Sequence, residues 1–255
     1  MSVIDKPEYD FLKTNPLLGD NIILLGYGGS IAYGTNLPTS DVDIRGIAIR
    51  SAYDILAAKR FDQVIDNTTD TTVYSIEKIF NLLSNCNPNV IELLGLKPEH
   101  YLRLTIPGKL ILQNRKLFLS QRAAKTFGGY AWAQLHRLTN KTYKEDVRFA
   151  DPAKLAKHQM HLMRLFLMAY DILEKEEIIT YREADRDFLL EIRSGKYLDE
   201  FNHPTDEFMD MVDKANEKLF KDVDETSLPP HPDMKKIEDL LYTINKEIVK
   251  NAFEG

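Results

Sequence analysis

The chain has 255 residues, of which 44% are apolar and 28% charged, and its formal net charge is −6. This length and balance indicate an ordinary globular protein with one large domain or two small ones. The single cysteine, Cys86, excludes an intrachain disulfide framework and a cysteine-based zinc cluster. There is no secretion-signal pattern, and no apolar run approaches the roughly 18 residues of a membrane-spanning helix, so we expect a soluble cytoplasmic protein.

The first informative feature is a short apolar segment followed by a glycine turn. Residues 22–25 are all apolar and predict a buried strand. Gly28 and Gly29 have no Cβ and permit positive φ, so the backbone there can approach a ligand closely. Ser30 adds a hydroxyl and an N–H group where a helix could begin, and amides at such a point can bind an anion. The pattern indicates a phosphate-binding turn.

Two aspartates follow after ten further residues, as Asp41-Val42-Asp43 at the start of a second apolar segment. If all three residues lie on a strand, both carboxylates project from one face of it. Two such carboxylates repel each other unless a cation lies between them, and Mg²⁺ fits because it binds hard oxygen ligands. A second Mg²⁺ would hold the attacking oxygen and the leaving pyrophosphate in line. Either motif alone occurs by chance, but their order and spacing are far more specific.

Gly29-Ser30, ten residues and Asp41-Val42-Asp43 together resemble the signature of the DNA polymerase β nucleotidyltransferase superfamily. Segments 28–35 and 40–46 more closely resemble the predicted nucleotidyltransferases associated with RNA repair operons, which also occur in phage genomes. The resemblance implies an α+β fold, with a polymerase β-type head formed by a small mixed sheet flanked by helices. It also implies a catalytic domain at 1–114 and an α-helical domain at 115–255 that closes the nucleotide cleft.

The superfamily resemblance implies a third carboxylate on a neighbouring strand. Segments 61–65 and 71–76 both look like strands, and the turn-like sequence between them predicts a hairpin. The candidates here are Asp62, Asp66 and Asp70. We favour Asp70 because it begins the second strand in the pattern Asp-x-x-x-Tyr-Ser-Ile, which resembles the third motif of the family. Asp66 is the alternative, and a simple turn role for Asp70 stays open.

The charges are unevenly distributed along the chain. No acidic residue occurs in segment 100–144, which carries nine cationic side chains: Arg103, Lys109, Arg115, Lys116, Arg122, Lys125, Arg137, Lys141 and Lys144. A solvated helix face accounts for many such runs. Beside a phosphate site, the run equally favours a polyanionic ligand, either the nucleotide or an RNA or tRNA acceptor.

Beyond residue 114 the apolar residues recur at helical spacing. The sequence predicts helices over 117–138, 152–175, 182–193, 205–221 and 234–249. Asp151 and Pro152 predict the start of the second helix, with Asp as the N-cap and Pro in the first turn. Trp132 is expected in the core.

Three cationic residues of the second helix, Lys157, His161 and Arg164, are spaced to share one face. This cationic stripe is either a solvated face or a surface that closes over the triphosphate. Arg45 has a similar ambiguity. Arginine readily makes forked contacts with phosphate, but an ion pair of Arg45 with Asp41 or Asp43 explains its position almost as well.

The activity implied by the resemblance is Mg²⁺-dependent transfer of a nucleoside monophosphate from an NTP, such as ATP, to an acceptor, with release of pyrophosphate. Asp41, Asp43 and Asp70 would bind the metal ions, and Asp70 would help to deprotonate the acceptor. The expected nucleotide contacts are Gly29, Ser30, Tyr33, Arg45, Lys157, His161 and Arg164. Two alternatives stay open: a nucleotide-binding sensor with little turnover, and an enzyme that transfers AMP to a partner protein.

Overall fold

The computed structural model describes residues 2–139 and 151–254. Within them, five strands form one mixed sheet in the order β3-β4-β2-β1-β5. The strands are β1 (Ile22–Tyr27), β2 (Ile44–Ala48), β3 (Gln63–Asp66), β4 (Thr71–Ser75) and β5 (Tyr101–Leu104). β1 runs antiparallel to β2 and β5, and β3 runs antiparallel to β4. The central pair, β2 and β4, is parallel.

Helices account for most of the remaining structure and confirm the predicted α+β class. The α-helices are α1 (Phe11–Thr14), α2 (Gly29–Tyr33), α3 (Ala52–Leu56), α4 (Ile76–Ser84), α5 (Pro88–Ile91), α6 (Ile106–Gln113), α7 (Arg122–Thr139), α8 (Pro152–Lys175), α9 (Arg186–Arg193), α10 (Asp206–Glu225) and α11 (Met234–Glu254). Short 3-10 turns lie at Val3–Asp5, Pro7–Tyr9, Gly19–Asn21, Glu92–Gly95, Pro98–His100 and Arg115–Phe118. In the described part of the chain, none of the helices has the length and apolar character needed to cross a membrane.

The chain divides into two compact units. Unit 1 comprises Met1–Asn85, Asn89–Phe118 and Pro232–Gly255, and unit 2 comprises Cys86–Pro88 and Leu119–His231. Unit 1 contains the whole sheet, and it also includes α11, which packs against α3 and α4. The sequence assigned that last helix to the helical domain at 115–255. The closing of a helical domain over the nucleotide stays a prediction.

The core of unit 1 forms where the N-terminal segment packs on the sheet. Ile22 and Leu25 of β1, Ile44 of β2 and Val73 of β4 are at most 2% exposed and belong to one apolar cluster with Tyr9. Five consecutive buried residues begin β1, as expected for a strand covered on both faces. β3 forms one edge of the sheet and is the more exposed strand of its hairpin, whose predicted existence is confirmed.

Unit 2 is built around α8, which packs against α7, α9 and α10. The predicted start of α8 is confirmed: Asp151 Oδ1 accepts a hydrogen bond from the amide of Ala153 at 3.0 Å, and Pro152 occupies the first turn. Helix α10 is likewise capped by the hydroxyl of Thr205, which accepts from the amide of Phe208. These caps satisfy amides that have no partner within the helix.

Two predictions for unit 2 are corrected by the structure. The helix expected from residue 182 begins at Arg186, after a turn at 183–185. The buried Arg182 guanidinium lies before this turn and pairs with the carboxylates of Asp171 and Asp185. Trp132 is not in the core, since it is 62% exposed. The apolar side of α7 is supplied by other residues, including Phe127 and Leu138.

Candidate active site

The glycine turn lies between β1 and α2, and its shape depends on a neighbouring carboxylate. Gly29 has a φ of +55°, a conformation that side chains disfavour. A Cβ built on Gly29 would lie 1.7 Å from Oδ2 of Asp43. The Asp43 carboxylate therefore occupies the space that any other residue would need, and this contact explains the glycine at position 29.

Asp41 and Asp43 immediately precede β2, which begins at Ile44, so their predicted placement on the strand itself is corrected. The carbonyl of Asp43 accepts a hydrogen bond from the amide of Gly28 at 2.8 Å. This bond extends the pairing of β1 and β2 by one step and ties the second aspartate to the glycine turn. Asp43 is partly buried, whereas Asp41 is exposed.

Asp70 lies beside Asp43 because their strands run in parallel. Ile44 pairs with Thr71 in the register of β2 and β4, so the residues that precede the two strands are neighbours. The amide of Ile44 also donates to the carbonyl of Asp70 at 3.2 Å. Asp70 has a φ of +44°, and its side chain is 59% exposed. The candidates Asp43 and Asp70 are thus brought together where the inner strands β2 and β4 begin.

Arg45 links these two aspartates. Its Nη1 donates to the carbonyl oxygens of Asp70 at 2.6 Å and Ile44 at 2.9 Å. Its Nη2 lies 3.1 Å from Oδ1 of Asp70 and 3.8 Å from Oδ1 of Asp43. The ion-pair interpretation of Arg45 is therefore correct, with Asp43 and Asp70 as its partners, and a contact of Arg45 with phosphate stays a prediction.

Asp66, the alternative third carboxylate, has a local structural role. Its Oδ1 accepts hydrogen bonds from both the amide and the hydroxyl of Thr69, each at 2.9 Å. Such bonds stabilise the turn that joins β3 and β4. Asp62 contacts Lys78 at 3.4 Å. Of the three candidates, Asp70 is the one in contact with the Asp43 and Arg45 pair.

A cleft of about 850 Å³ opens beside Asp41 and Asp70. One wall is the turn at 67–69, and the opposite wall comes from the N-terminal residues Val3, Lys6, Glu8 and Tyr9. The sequence contained no signal for this wall, because these residues form no motif; one of them, Tyr9, also belongs to the apolar core cluster. All of these residues belong to unit 1.

The carboxylate oxygens of Asp43 and Asp70 are ligands of the kind that a hard divalent cation prefers. In residues 2–139 and 151–254, no three His, Cys, Asp or Glu side chains converge closely enough to hold one metal ion. However, carboxylate oxygens of Asp43 and Asp70 lie 3.8 and 3.1 Å from the same cationic nitrogen, Nη2 of Arg45. Carboxylate oxygens directed at a common positive charge match the ligand chemistry of Mg²⁺.

The cationic stripe of α8 is only partly accessible. Lys157 is exposed, but Arg164 is 4% exposed and its Nη2 lies 2.6 Å from Nδ1 of His161. Burial, together with the charges of His158, Arg137 and Lys157, lowers the pKa of His161 to about 4. His161 is therefore neutral at pH 7 and adds no positive charge. Contact of this stripe, which lies in unit 2, with the triphosphate stays a prediction.

Other predicted contacts and the basic segment are distributed over both units. Tyr33 is buried at 6% exposure, while Ser30 is partly exposed at the start of α2. Residues 100–118 of the basic segment belong to unit 1, and those from 119 onward belong to unit 2. Lys141 and Lys144 lie outside the described residues. The segment is thus not a single structural element.

Comparison with known protein families shows which family the chain belongs to. Residues 9–243 match the model of the RNA repair pathway DNA polymerase beta family, RlaP. The chain belongs to this family. The matched range includes the glycine turn, the paired aspartates and Asp70, and it spans all of unit 2. A family of the polymerase β type indicates nucleotidyltransferase activity.

A relative also occurs in a phage. The chain is 30% identical over 125 residues to a protein of Enterobacteria phage T4 named "Uncharacterized 38.9 kDa protein in nrdC-mobD intergenic region". The match covers 44% of this chain and 37% of the phage protein. The chain therefore corresponds to well under half of that relative's length.

The Gly29 contact generates a stability prediction. Gly29→Ala should lower the free energy of unfolding by at least about 1–2 kcal/mol, because it places a side chain in the left-handed region and displaces Asp43. The matched control is Gly129→Ala in α7, where a Cβ would meet no atom within 4 Å. That variant should be more stable by about 0.5–1 kcal/mol. Urea denaturation measures both, and an unchanged Gly29→Ala protein would contradict the close contact.

His161 generates a pH prediction. Because burial lowers its pKa to about 4, the unfolded chain binds this proton more readily than the folded chain below about pH 6.5. Stability should therefore fall as the pH is lowered from about 6.5 to 4, by an amount approaching about 3 kcal/mol from this group. His161→Asn, whose Oδ1 can still accept from Arg164, should flatten the dependence. Urea denaturation at several pH values tests this, and a slope in His161→Asn as steep as in the natural protein would contradict it.

Proposed function

We propose that this protein transfers a nucleoside monophosphate from an NTP to an acceptor hydroxyl and releases pyrophosphate, in a Mg²⁺-dependent reaction. The observation that carries the proposal is the meeting of Asp43 and Asp70 around one cationic nitrogen, directly beside the positive-φ Gly29 turn. Nucleotidyl transfer needs a phosphate-binding element and clustered carboxylates, and the Gly29 turn and the Asp43 and Asp70 pair, which would supply them, lie together where β2 and β4 begin.

The proposal assigns a role to the three aspartates and to the backbone amides of the glycine turn. Asp41, Asp43 and Asp70 would hold Mg²⁺, and the backbone amides at Gly29 and Ser30 would bind the β- and γ-phosphates. Mg²⁺ bound there supplies positive charge that offsets the charge of the triphosphate and of the departing pyrophosphate. Positioning and charge stabilisation account for most of the rate in such reactions.

The chemical step transfers the nucleotide without a covalent enzyme intermediate. The acceptor oxygen forms a bond to the α-phosphorus, the bond from that phosphorus to the pyrophosphate oxygen breaks, and the acceptor proton passes to the Asp70 carboxylate. The exposure of Asp70 and its place in the wall of the 850 Å³ cleft support this role. Arg45 would keep Asp70 in place through its bond to the Asp70 carbonyl oxygen.

We infer that the acceptor is an RNA or tRNA end. The family description, with its RNA repair pathway, supports this choice, as does the acid-free segment 100–144. ATP and the other NTPs are candidate donors. Transfer of AMP to a partner protein would use the same nucleotide and the same metal site, and it differs only in the acceptor. A labelled nucleotide would then be found on protein and not on RNA.

The carboxylates provide a direct test. With α-labelled NTPs, Mg²⁺ and total RNA, the natural protein should label RNA, while Asp43→Asn and Asp70→Asn should each be slower by at least about a hundredfold, about 2.7 kcal/mol in activation free energy. Asp66→Asn is the matched control, because its amide oxygen can still accept from Thr69. It should keep most of the activity.

Four results would count against this mechanism. Labelling by Asp43→Asn at the natural rate would contradict the role of the site. Loss of activity in Asp66→Asn with activity kept in Asp70→Asn would reassign the third carboxylate. Label found on protein and absent from RNA would favour the AMP-transferring alternative, and nucleotide binding without pyrophosphate release would favour the sensor.

A further inference from the structure

Helix α7 has a buried face and an exposed face. Its buried residues recur at helical spacing: Ala123, Phe127, Ala131, Gln134 and Leu138. Its exposed residues include Lys125, Gly129, Trp132 and His136, which are four, three and four positions apart. This spacing places them on one stripe roughly 16 Å long.

Trp132 is the most unusual member of this stripe. It is 62% exposed, although tryptophan has one of the largest apolar side chains. Its ring lies 5.4 Å from the ring of His136, and the two planes meet at 77°. A Cβ on Gly129 would have no neighbour within 4 Å. The indole therefore lies beside the uncovered surface of Gly129, where a nucleic-acid base could stack on it.

The helix around Trp132 is strongly basic. From Arg122 to Thr139 it contains Arg122, Lys125 and Arg137 and no acidic residue. The charge affects neighbouring groups, because Arg137 and Lys157 add to the effect of burial in lowering the pKa of His158. An exposed aromatic ring flanked by cations is the combination that binds single-stranded nucleic acid, in which bases stack and phosphates pair with cations.

Unit 2 itself offers a contrasting surface. Helix α10 also exposes a large aromatic side chain, Phe220, which is 67% exposed. That helix carries eight acidic residues: Asp206, Glu207, Asp210, Asp213, Glu217, Asp222, Asp224 and Glu225. A polyanion would be repelled there. The combination of an exposed aromatic ring with a helix that lacks acidic residues distinguishes α7 from α10.

We propose that the exposed face of α7 binds single-stranded RNA. We call this region the α7 surface, and it comprises the stripe of Lys125, Gly129, Trp132 and His136 together with the exposed Arg137 beside it. The Trp132 indole stacks on a base, and Lys125 and Arg137 contact phosphates. The choice of RNA rests on the proposed function, since RNA is the acceptor inferred there, but binding to the α7 surface can be measured without any catalysis.

The chain contains one tryptophan, so tryptophan emission, excited at wavelengths that tyrosine does not absorb, reports on Trp132 alone. We would titrate the full chain with an unstructured oligouridylate of about 12 nucleotides, a length within the usual range for single-strand sites. Stacking should quench the Trp132 emission in a saturable way. A blunt RNA duplex of the same length, whose bases are already stacked in pairs, should quench it much less.

Variants separate the contributions of the α7 surface. By fluorescence anisotropy of labelled oligouridylate, Trp132→Ala should bind about tenfold more weakly, and Trp132→Phe should recover part of the loss. Lys125→Ala and Arg137→Ala should each reduce the slope of log K against log salt by about 0.7. Phe220→Ala is the matched control and should bind within about twofold of the natural protein. Thermal unfolding of each variant shows that it is folded.

Each result of these binding experiments either supports or overturns the proposal that the α7 surface binds single-stranded RNA. Saturable quenching with weaker binding by Trp132→Ala supports the α7 surface. RNA binding that leaves Trp132 emission unchanged, binding by Trp132→Ala at natural strength, or no RNA binding at all overturns it. If Trp132→Ala loses binding to an acidic protein partner but binds RNA normally, the α7 surface binds protein, and the RNA proposal is overturned. If RNA binds as proposed but no nucleotide is ever transferred, the proposed function fails while the α7 surface stands.

Discussion

The Asp43 carboxylate rests against the Cα of Gly29, and the geometry of the site depends on this contact. It requires glycine at position 29, because a Cβ there would lie 1.7 Å from Oδ2 of Asp43. It also fixes the glycine turn relative to Asp43, since the carbonyl of Asp43 accepts a hydrogen bond from the amide of Gly28 at 2.8 Å. The turn proposed to bind phosphate and the acid proposed to bind metal are thereby held together.

The parallel pairing of β2 and β4 adds the third acid. It places the left-handed Asp70 beside Asp43, where two carboxylates would repel each other without compensation. The Arg45 guanidinium provides that compensation, and its bonds to two backbone carbonyl oxygens anchor it independently of the carboxylates. The site thus combines a fixed cation with acidic groups that can accept a further one, which suits the binding of a metal ion together with a highly charged nucleotide.

Local patterns in the sequence predicted much of this arrangement, and long-range packing supplied the rest. The buried run at 22–25, the hairpin and the cap at Asp151 follow from short-range propensity, so each was predicted correctly. The partners of Arg45 depend on strand order, which no single segment encodes. Trp132 was misjudged because helical spacing shows which residues share a face but not which face is covered. The N-terminal wall of the cleft has no motif at all.

The most direct test of the central claim is a crystal structure of the protein with Mn²⁺ and a non-hydrolysable NTP analogue. Mn²⁺ replaces Mg²⁺ at oxygen-rich sites and gives an anomalous signal that locates it. The account predicts a manganese peak bound by Asp43 together with Asp41 or Asp70, with the triphosphate over the amides of Gly29 and Ser30. A peak away from these carboxylates, or a triphosphate bound away from the glycine turn, would contradict it.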